Sequence, residues 1–306
     1  MKELSKDSLT SMNKARALLI GSRPWSFPMT IVSVLVGTLL AVKAGSFNLV
    51  NFVVVLLGMV LFHGATNLIN DYFDYQSEVD SKDSPTAKYR RQPLVEGWFE
   101  PRELLTYCTI IYLCVAATGA YLTYSSGPIV IVLGMIGFAA SYLYTGGNVK
   151  YKYLGWGELS VFLVWGPLMV TGAYYVQTGE LSIKPVLLSL PLGLLVALVL
   201  LANNLRDRNY DEKAGVETVA TLLEKDDALL LYFFMVSATY AILGFLIMGK
   251  IIGLWGLLGL LSFPMAYKLV RTFLKEVPED ADARTAKLVV TFGGLLTISL
   301  FFETVL

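Results

Sequence analysis

The sequence predicts an all-α, polytopic membrane protein: a bundle of nine transmembrane helices with the N-terminus in the cytoplasm and the C-terminus outside. Three observations carry that prediction: an apolar composition, a succession of hydrophobic runs near spanning length, and a lopsided distribution of lysine and arginine. Hydrophobic residues make up 55% and charged residues 16% of the 306 residues, and mean hydropathy is +0.61, well to the apolar side of soluble domains. The formal net charge is zero, which argues against a nucleic-acid partner, since that partner requires a basic surface. Cys108 and Cys114 lie in one apolar run without metal-ligand spacing and read as packing or membrane-facing residues. Met1 to Ser22 is polar and basic, with only a short apolar stretch from Ala17 to Ile20 and no signal-peptide core.

About 20 apolar residues cross a hydrocarbon core of about 30 Å. Nine candidate spans follow in order: Phe27 to Val42, Leu49 to Asp71, Leu104 to Tyr124, Pro128 to Tyr144, Gly157 to Tyr175, Pro185 to Leu205, Ala228 to Met248, Ile251 to Val270 and Leu288 to Leu306. The first is short, and Gly249 and Lys250 make a tight hairpin between the seventh and eighth. The expectation is one polytopic domain over residues 1–306 without soluble appendages.

With nine spans, the N-terminal tail and the loops after spans two, four, six and eight share one side. They hold 21 of the 24 lysines and arginines, leaving Lys43, Lys184 and Lys250 opposite. The positive-inside rule puts that richer side in the cytoplasm.

Two polar ridges end apolar runs on that face. Residues four apart share a helix face, so Asn70, Asp74 and Glu78 form one ridge at the end of span two, and Asn203, Asp207 and Asp211 form another at the end of span six. Every member of the second follows its counterpart by 133 residues, a weak sign of internal duplication. A single acidic helix end ordinarily marks a solvated boundary; two with the same Asn/Asp spacing on one face point to a site. Carboxylates at a membrane boundary are costly unless paired or bound to ions. Asp71, Asp74, Glu78, Asp80, Asp207 and Asp211, with the amide oxygens of Asn70 and Asn203, form the oxygen-rich set that suits Mg²⁺ shared with substrate phosphate. Lys88, Arg90, Arg91, Arg206, Arg208, Lys150 and Lys152 lie on the neighbouring loops, as the positive-inside rule alone would also place them. Carboxylates for metal plus cations for phosphate fit a metal-bound diphosphate with an apolar tail. His63, one turn before Asn67, reads as a packing or helix-bridging residue, and Tyr142, Tyr144, Tyr151, Tyr153 and Trp156 as an interfacial belt. A cation-coupled transporter is the competing class, but it expects acids near the bilayer midplane, and here the span interiors are almost free of charge.

These residues resemble the UbiA superfamily of intramembrane prenyltransferases. The resemblance rests on Arg23-Pro-Trp-Ser-Phe27, Asn70-Asp-Tyr-Phe-Asp74 with Asp80, Gln92-Pro-Leu-Val-Glu-Gly97, Tyr144-Thr-Gly-Gly147 with Lys150, Gly155-Trp-Gly-Glu158, and Asn203-Asn-Leu-Arg-Asp207 with Asp211. It covers nearly the whole chain and is nearest in motif to the menaquinone branch, the 1,4-dihydroxy-2-naphthoate polyprenyltransferases. Many members have Asp where Glu78 stands, whereas that branch places the later Asp at Asp80, so both remain metal-ligand candidates. The resemblance implies a polyprenyl diphosphate donor, an aromatic acceptor and two Mg²⁺ ions held by Asn70, Asp74, Glu78 or Asp80, Asn203, Asp207 and Asp211. It further implies that Arg23, Lys88, Arg91, Lys150 and Arg206 neutralise the diphosphate, with Asp74, Asp207, Asp211 and Tyr144 in catalytic roles, Tyr144 by facing an allylic cation. 4-Hydroxybenzoate, homogentisate, chlorophyllide, haem and a glycerol-phosphate lipid are acceptors of relatives with the same metal site.

Overall fold

Apolar runs this long cannot leave backbone groups unpaired in lipid, so they must become helices. The computed structural model describes residues 13–82 and 90–306. Its elements are α1 (Lys14–Gly21), a 3-10 turn (Pro24–Ser26), α2 (Phe27–Lys43), α3 (Leu49–Gln76), α4 (Pro101–Ser126), α5 (Ile129–Thr145), α6 (Gly157–Thr178), α7 (Ile183–Ala214), α8 (Val219–Leu222), α9 (Lys225–Met248), α10 (Phe263–Phe273) and α11 (Ala281–Val305). Their ends carry ordinary signals. The Asn48 side chain caps α3 by accepting from the Asn51 amide at 3.0 Å, Pro101 opens α4, and Gly215 at φ +68 closes α7 in the left-handed conformation that glycine adopts freely.

Seven described segments are long and apolar enough to cross a membrane: α1 and α2 taken together, α3, α4, α6, α7, α9 and α11. Two of the nine predicted spans differ from regular full-length helices. The fourth is α5, an apolar helix of 17 residues. The eighth is a nine-residue 3-10 helix, Leu254–Ser262, leading into the 11-residue α10. Gly253, Gly256, Gly259 and Ser262 recur every third residue, matching the three-residue turn of a 3-10 helix, and Gly256, Gly259 and Ser262 are buried. A Cβ on Gly259 would meet Leu243 Cδ2 at 2.8 Å. The small residues thus form one edge that packs closely, and the tighter helix keeps them aligned.

α7 is the central element, packed against α6, α9 and α11, while α2 packs against α6 and α11, and α3 against α4. The close approach of α6 and α7 depends on two glycines: a Cβ on Gly166 would lie 3.1 Å from the Gly193 Cα. Pro167 interrupts α6 with a π-turn, Val164–Leu168, because proline supplies no amide hydrogen for the regular ladder. The largest core cluster joins α2, α7, α9 and α11, with Tyr232 and Phe273 stacked 4.2 Å apart between their centroids. A second cluster packs α1 on the ends of α3 and α4 around Leu68, Trp98 and Phe99.

α2 through α7, with the start of α11, line a cavity of about 1400 Å³. Asn70, Asp74, Asp80, Asn203, Arg23, Arg90, Arg91 and Lys152 line one end, and Val55, Leu122, Val130 and Val176 lie among the residues lining the rest. From Asp74 to Val55 the cavity follows α3 for about 28 Å at 1.5 Å per residue.

Candidate functional site

The first motif folds differently from a continuous ridge. α3 stops at Gln76, and Glu78 takes a left-handed φ of +59. The Val79 and Asp80 amides then turn back to donate to the Asp74 carbonyl, at 3.0 and 3.2 Å. This reversal corrects the expected helical Asn70-Asp74-Glu78 face: Glu78 is exposed and off the cavity wall, while Asp80 joins Asn70 and Asp74 on it. α7 continues past the second motif to Ala214, so Asn203, Asp207 and Asp211 do share a helix face. Of these, Asn203 lines the cavity.

The buried acids Asp71, Asp74 and Asp207 each have a cationic or phenolic partner. Asp71 receives hydrogen bonds from Arg23 and, at 3.2 Å, from Arg90. Asp74 receives them from the Lys152 ammonium at 2.8 Å and from the Tyr153 hydroxyl. Arg206 clips Asp207 through both carboxylate oxygens at 2.7 Å, donates to Asn203 Oδ1 at 2.8 Å, and reaches Asp282 of α11 at 2.9 Å. These pairs hold the charges of a buried polar end in balance. An isolated parallel bridge, Leu154 to Glu217, ties the loop carrying Lys152 and Tyr153 to the loop after α7.

Burial, reinforced by the Asp74 and Asp71 carboxylates and opposed by Lys152 and Arg90, pushes the Asp80 carboxyl up to about 6. Burial, and then the neighbouring Asp74 carboxylate, likewise raises Tyr153, so its phenol stays protonated and donates.

Among the described residues no three His, Cys, Asp or Glu side chains already converge as a metal cage; Asp74 and Asp207 are instead paired with Lys152 and Arg206. The donor set nevertheless fits Mg²⁺. Among the described residues Asn70 Oδ1 and Asp80 Oδ2 are buried without a hydrogen-bond partner, both residues line the cavity beside Asp74, and all three offer oxygen, the ligand atom Mg²⁺ prefers.

Arg91 lines the cavity and lies 5.9 Å from the Trp98 ring centroid. Lys150, left-handed at φ +43, donates to Ser77 Oγ at 3.0 Å and does not line the cavity. Lys88 lies outside the described residues. Tyr144 lines the cavity with its ring 5.9 Å from the Lys152 ammonium and edge-on to Tyr151. Lys152 and Arg90, whose sequence signal is only position on the basic face, and Tyr153, which reads as part of an interfacial belt, reach the acids. Glu158 is buried against Asn204, which donates to it at 2.9 Å.

His63 belongs to a closed chain of hydrogen bonds. Ser26 donates to the Arg23 carbonyl at 2.7 Å, so it accepts from His63 Nε2 at 3.1 Å. His63 Nδ1 then accepts from Thr30 at 2.8 Å, and Thr30 accepts from Trp165 Nε1 at 3.2 Å. Every donor is used once. His63 therefore braces the left-handed Arg23 turn.

A family model described as the UbiA prenyltransferase family matches residues 30–293. UbiA prenyltransferase domain-containing protein 1 of Xenopus tropicalis is 33% identical over 284 residues, covering 92% of this chain and 80% of its own. The human protein of the same name is 32% identical over 284 residues, covering 92% of this chain and 82% of its own. The fold matches a UbiA homologue from Aeropyrum pernix K1 with a TM-score of 0.67 at 17% identity, over 95% of this chain and 99% of that one. It also matches a homologue from Archaeoglobus fulgidus bound to GPP and Mg²⁺, with a TM-score of 0.64 at 17% identity, over 95% and 100% of the two chains. With a family model matched over most of its length, and relatives above 30% identity across nine-tenths of it, this chain belongs to the UbiA prenyltransferase family.

Proposed function

We propose that the protein transfers a prenyl group from a prenyl diphosphate to an aromatic acceptor within the membrane, in a Mg²⁺-dependent reaction, with 1,4-dihydroxy-2-naphthoate as the acceptor. Family membership and the relative bound to GPP and Mg²⁺ support the donor chemistry. The single observation that carries the reading here is the cavity. One end collects acids, amide oxygens and cations, and apolar side chains line most of the remainder. Such a volume accepts a charged head and a long hydrocarbon tail in one orientation. The Arg23-Pro-Trp-Ser-Phe27 and Asn203-Asn-Leu-Arg-Asp207 strings, which resemble the menaquinone branch, support the naphthoate acceptor.

Asn70, Asp74 and Asp80 on one side and Asn203, Asp207 and Asp211 on the other are the proposed Mg²⁺ ligands. When bound, Mg²⁺ supplies positive charge to the diphosphate oxygens and so improves the leaving group. Arg23, Arg91 and Lys152 hold the diphosphate and balance the charge that develops on it, with Lys152 assigned in place of Lys150 on its position at Asp74. Tyr144 turns an aromatic face to the cationic prenyl carbon, and the apolar walls keep water from quenching it. We further propose nine membrane crossings in one domain, with the polar end towards the cytoplasm, supported by the lysine and arginine count.

The test is incubation of purified protein with geranylgeranyl diphosphate, Mg²⁺ and a panel of aromatic and glycerol-phosphate acceptors. Prenylated naphthoate is expected. Product only from another acceptor overturns the acceptor assignment, and product from none overturns the reading.

A further inference from the structure

Besides the closed His63 chain, the cavity wall carries a second line of hydroxyl groups, and this one is open. Thr66 of α3, Ser141 of α5 and Tyr112 of α4 all line the cavity. Ser141 Oγ lies 2.7 Å from Thr66 Oγ1 and 2.7 Å from the Tyr112 hydroxyl, and Thr66 also reaches the Phe62 carbonyl at 2.9 Å.

Either direction of the line leaves one group over at its Tyr112 end. If Thr66 donates to the Phe62 carbonyl, Ser141 donates to Thr66 and Tyr112 donates to Ser141, leaving the Tyr112 oxygen free to accept. If the line runs the other way, Thr66 donates to Ser141 and Ser141 to Tyr112, leaving the Tyr112 proton free to give. Hydroxyl rotation exchanges the two states without moving a heavy atom. The terminal group can therefore serve a ligand hydroxyl that donates or a ligand oxygen that accepts.

The level is right for chemistry. Thr66 is one helical turn, about 6 Å, from Asn70 along the same face of α3. A prenyl carbon bonded to a diphosphate at Asn70 and Asp74 lies deeper by about one bond to oxygen and one contact distance. A ring attacking that carbon from about 3.5 Å has its activating oxygen near this level. A phenol needs such a group, because its hydroxyl gives electron density to the ring and becomes more acidic as the new bond forms.

We propose that the Tyr112–Ser141–Thr66 line seats the hydroxyl of a phenol or naphthol acceptor, with Tyr112 making the contact. This rests on the prenyl-transfer reading above and adds which wall the acceptor's oxygen faces. A methyl ether can accept from Tyr112 but has no proton to give as the new bond forms, so the line, in the state where Tyr112 accepts, favours attack by acceptors with a ring hydroxyl over their methyl ethers.

The experiment uses the full chain in lipid nanodiscs with Mg²⁺ and geranylgeranyl diphosphate. It compares 1,4-dihydroxy-2-naphthoate and 4-hydroxybenzoate with their O-methyl ethers, for wild type, Tyr112→Phe and Ser141→Ala. Tyr112→Phe is expected to raise KM for the hydroxylated acceptor about ten-fold, to leave KM for the diphosphate within about two-fold, and to remove most of the discrimination against the methyl ether. Ser141→Ala, which cuts the line behind Tyr112, is expected to act in the same direction with a smaller effect. Unchanged acceptor KM in both variants overturns the proposal. So does a loss of Tm with both KM values rising together, the signature of hydroxyls that only join helices. Wild type inactive with every phenolic acceptor overturns the prenyl-transfer reading and this proposal with it, whereas an active wild type with unaltered variants overturns this proposal alone.

Discussion

The amide of Asp80 donates to the carbonyl of Asp74 at 3.2 Å across the end of α3, folding the chain back so that both residues line the same mouth of the cavity. Glu78, two residues earlier, is left facing away. That backbone contact makes Asp80 the third member of the first motif.

Substituting the two acids separates their roles. Asp80→Asn is expected to lower kcat/KM by about 100-fold or more, as loss of a charge-stabilising group does, and to weaken apparent Mg²⁺ affinity. Glu78→Gln is expected to stay within about two-fold. Steady-state kinetics across a Mg²⁺ titration checks both, and equal losses would reverse the assignment.

The left-handed Glu78 also predicts a stability gain. A non-glycine residue pays about 1 kcal/mol for that conformation, so Glu78→Gly should raise Tm by a few degrees without loss of activity. Thermal unfolding in detergent measures it; a lower Tm would show that the Glu78 side chain contributes more than its backbone costs.

The Asp80 carboxyl, pushed up to about 6 by burial and its acidic neighbours, gives a pH dependence with a definite sign. A carboxyl whose pKa is raised in the folded chain binds its proton more tightly there than when unfolded. Its contribution to metal-free stability therefore declines as pH rises from about 4 to about 6. A cation at this site relieves that repulsion when the group is charged. Mg²⁺ should raise Tm more at about pH 7.5 than at about pH 5, and apparent Mg²⁺ affinity should fall as pH drops through about 6. Equal Tm increments at the two pH values would exclude Asp80 as a ligand.

Lys152 and Lys150 make a second contrast. Lys152 lies at Asp74 on the cavity wall, and Lys150 at Ser77 away from it. Lys152→Met is expected to raise diphosphate KM about ten-fold, as loss of a charge-assisted contact does, with Lys150→Met near wild type. The opposite order would return the diphosphate contact to Lys150.

Much of this was legible in the sequence. The two motifs, their shared face and most of the helix order followed from hydropathy and charge, because spanning length and four-residue spacing are local properties. The reversal after Gln76 was not legible: with no glycine or proline between Gln76 and Asp80, the left-handed turn falls on Glu78, a residue type that rarely adopts it. Nor was the pairing of Lys152 and Tyr153 with Asp74, 78 and 79 residues apart, which depends on how the α5–α6 loop lies over α3. The 3-10 helix at Leu254–Ser262 was legible in principle, since small residues every third position state its period, but its hydropathy alone reads as an ordinary span.

Prenyl transfer from geranylgeranyl diphosphate to 1,4-dihydroxy-2-naphthoate by the purified protein, with and without Mg²⁺, for wild type and Asp74→Ala, measures directly whether the polar end of the cavity is a Mg²⁺–diphosphate site. Mg²⁺-dependent prenylated product is expected from wild type, with a loss of at least about 100-fold in the variant. Full activity after Asp74→Ala, or product formation indifferent to chelation of Mg²⁺, would contradict it.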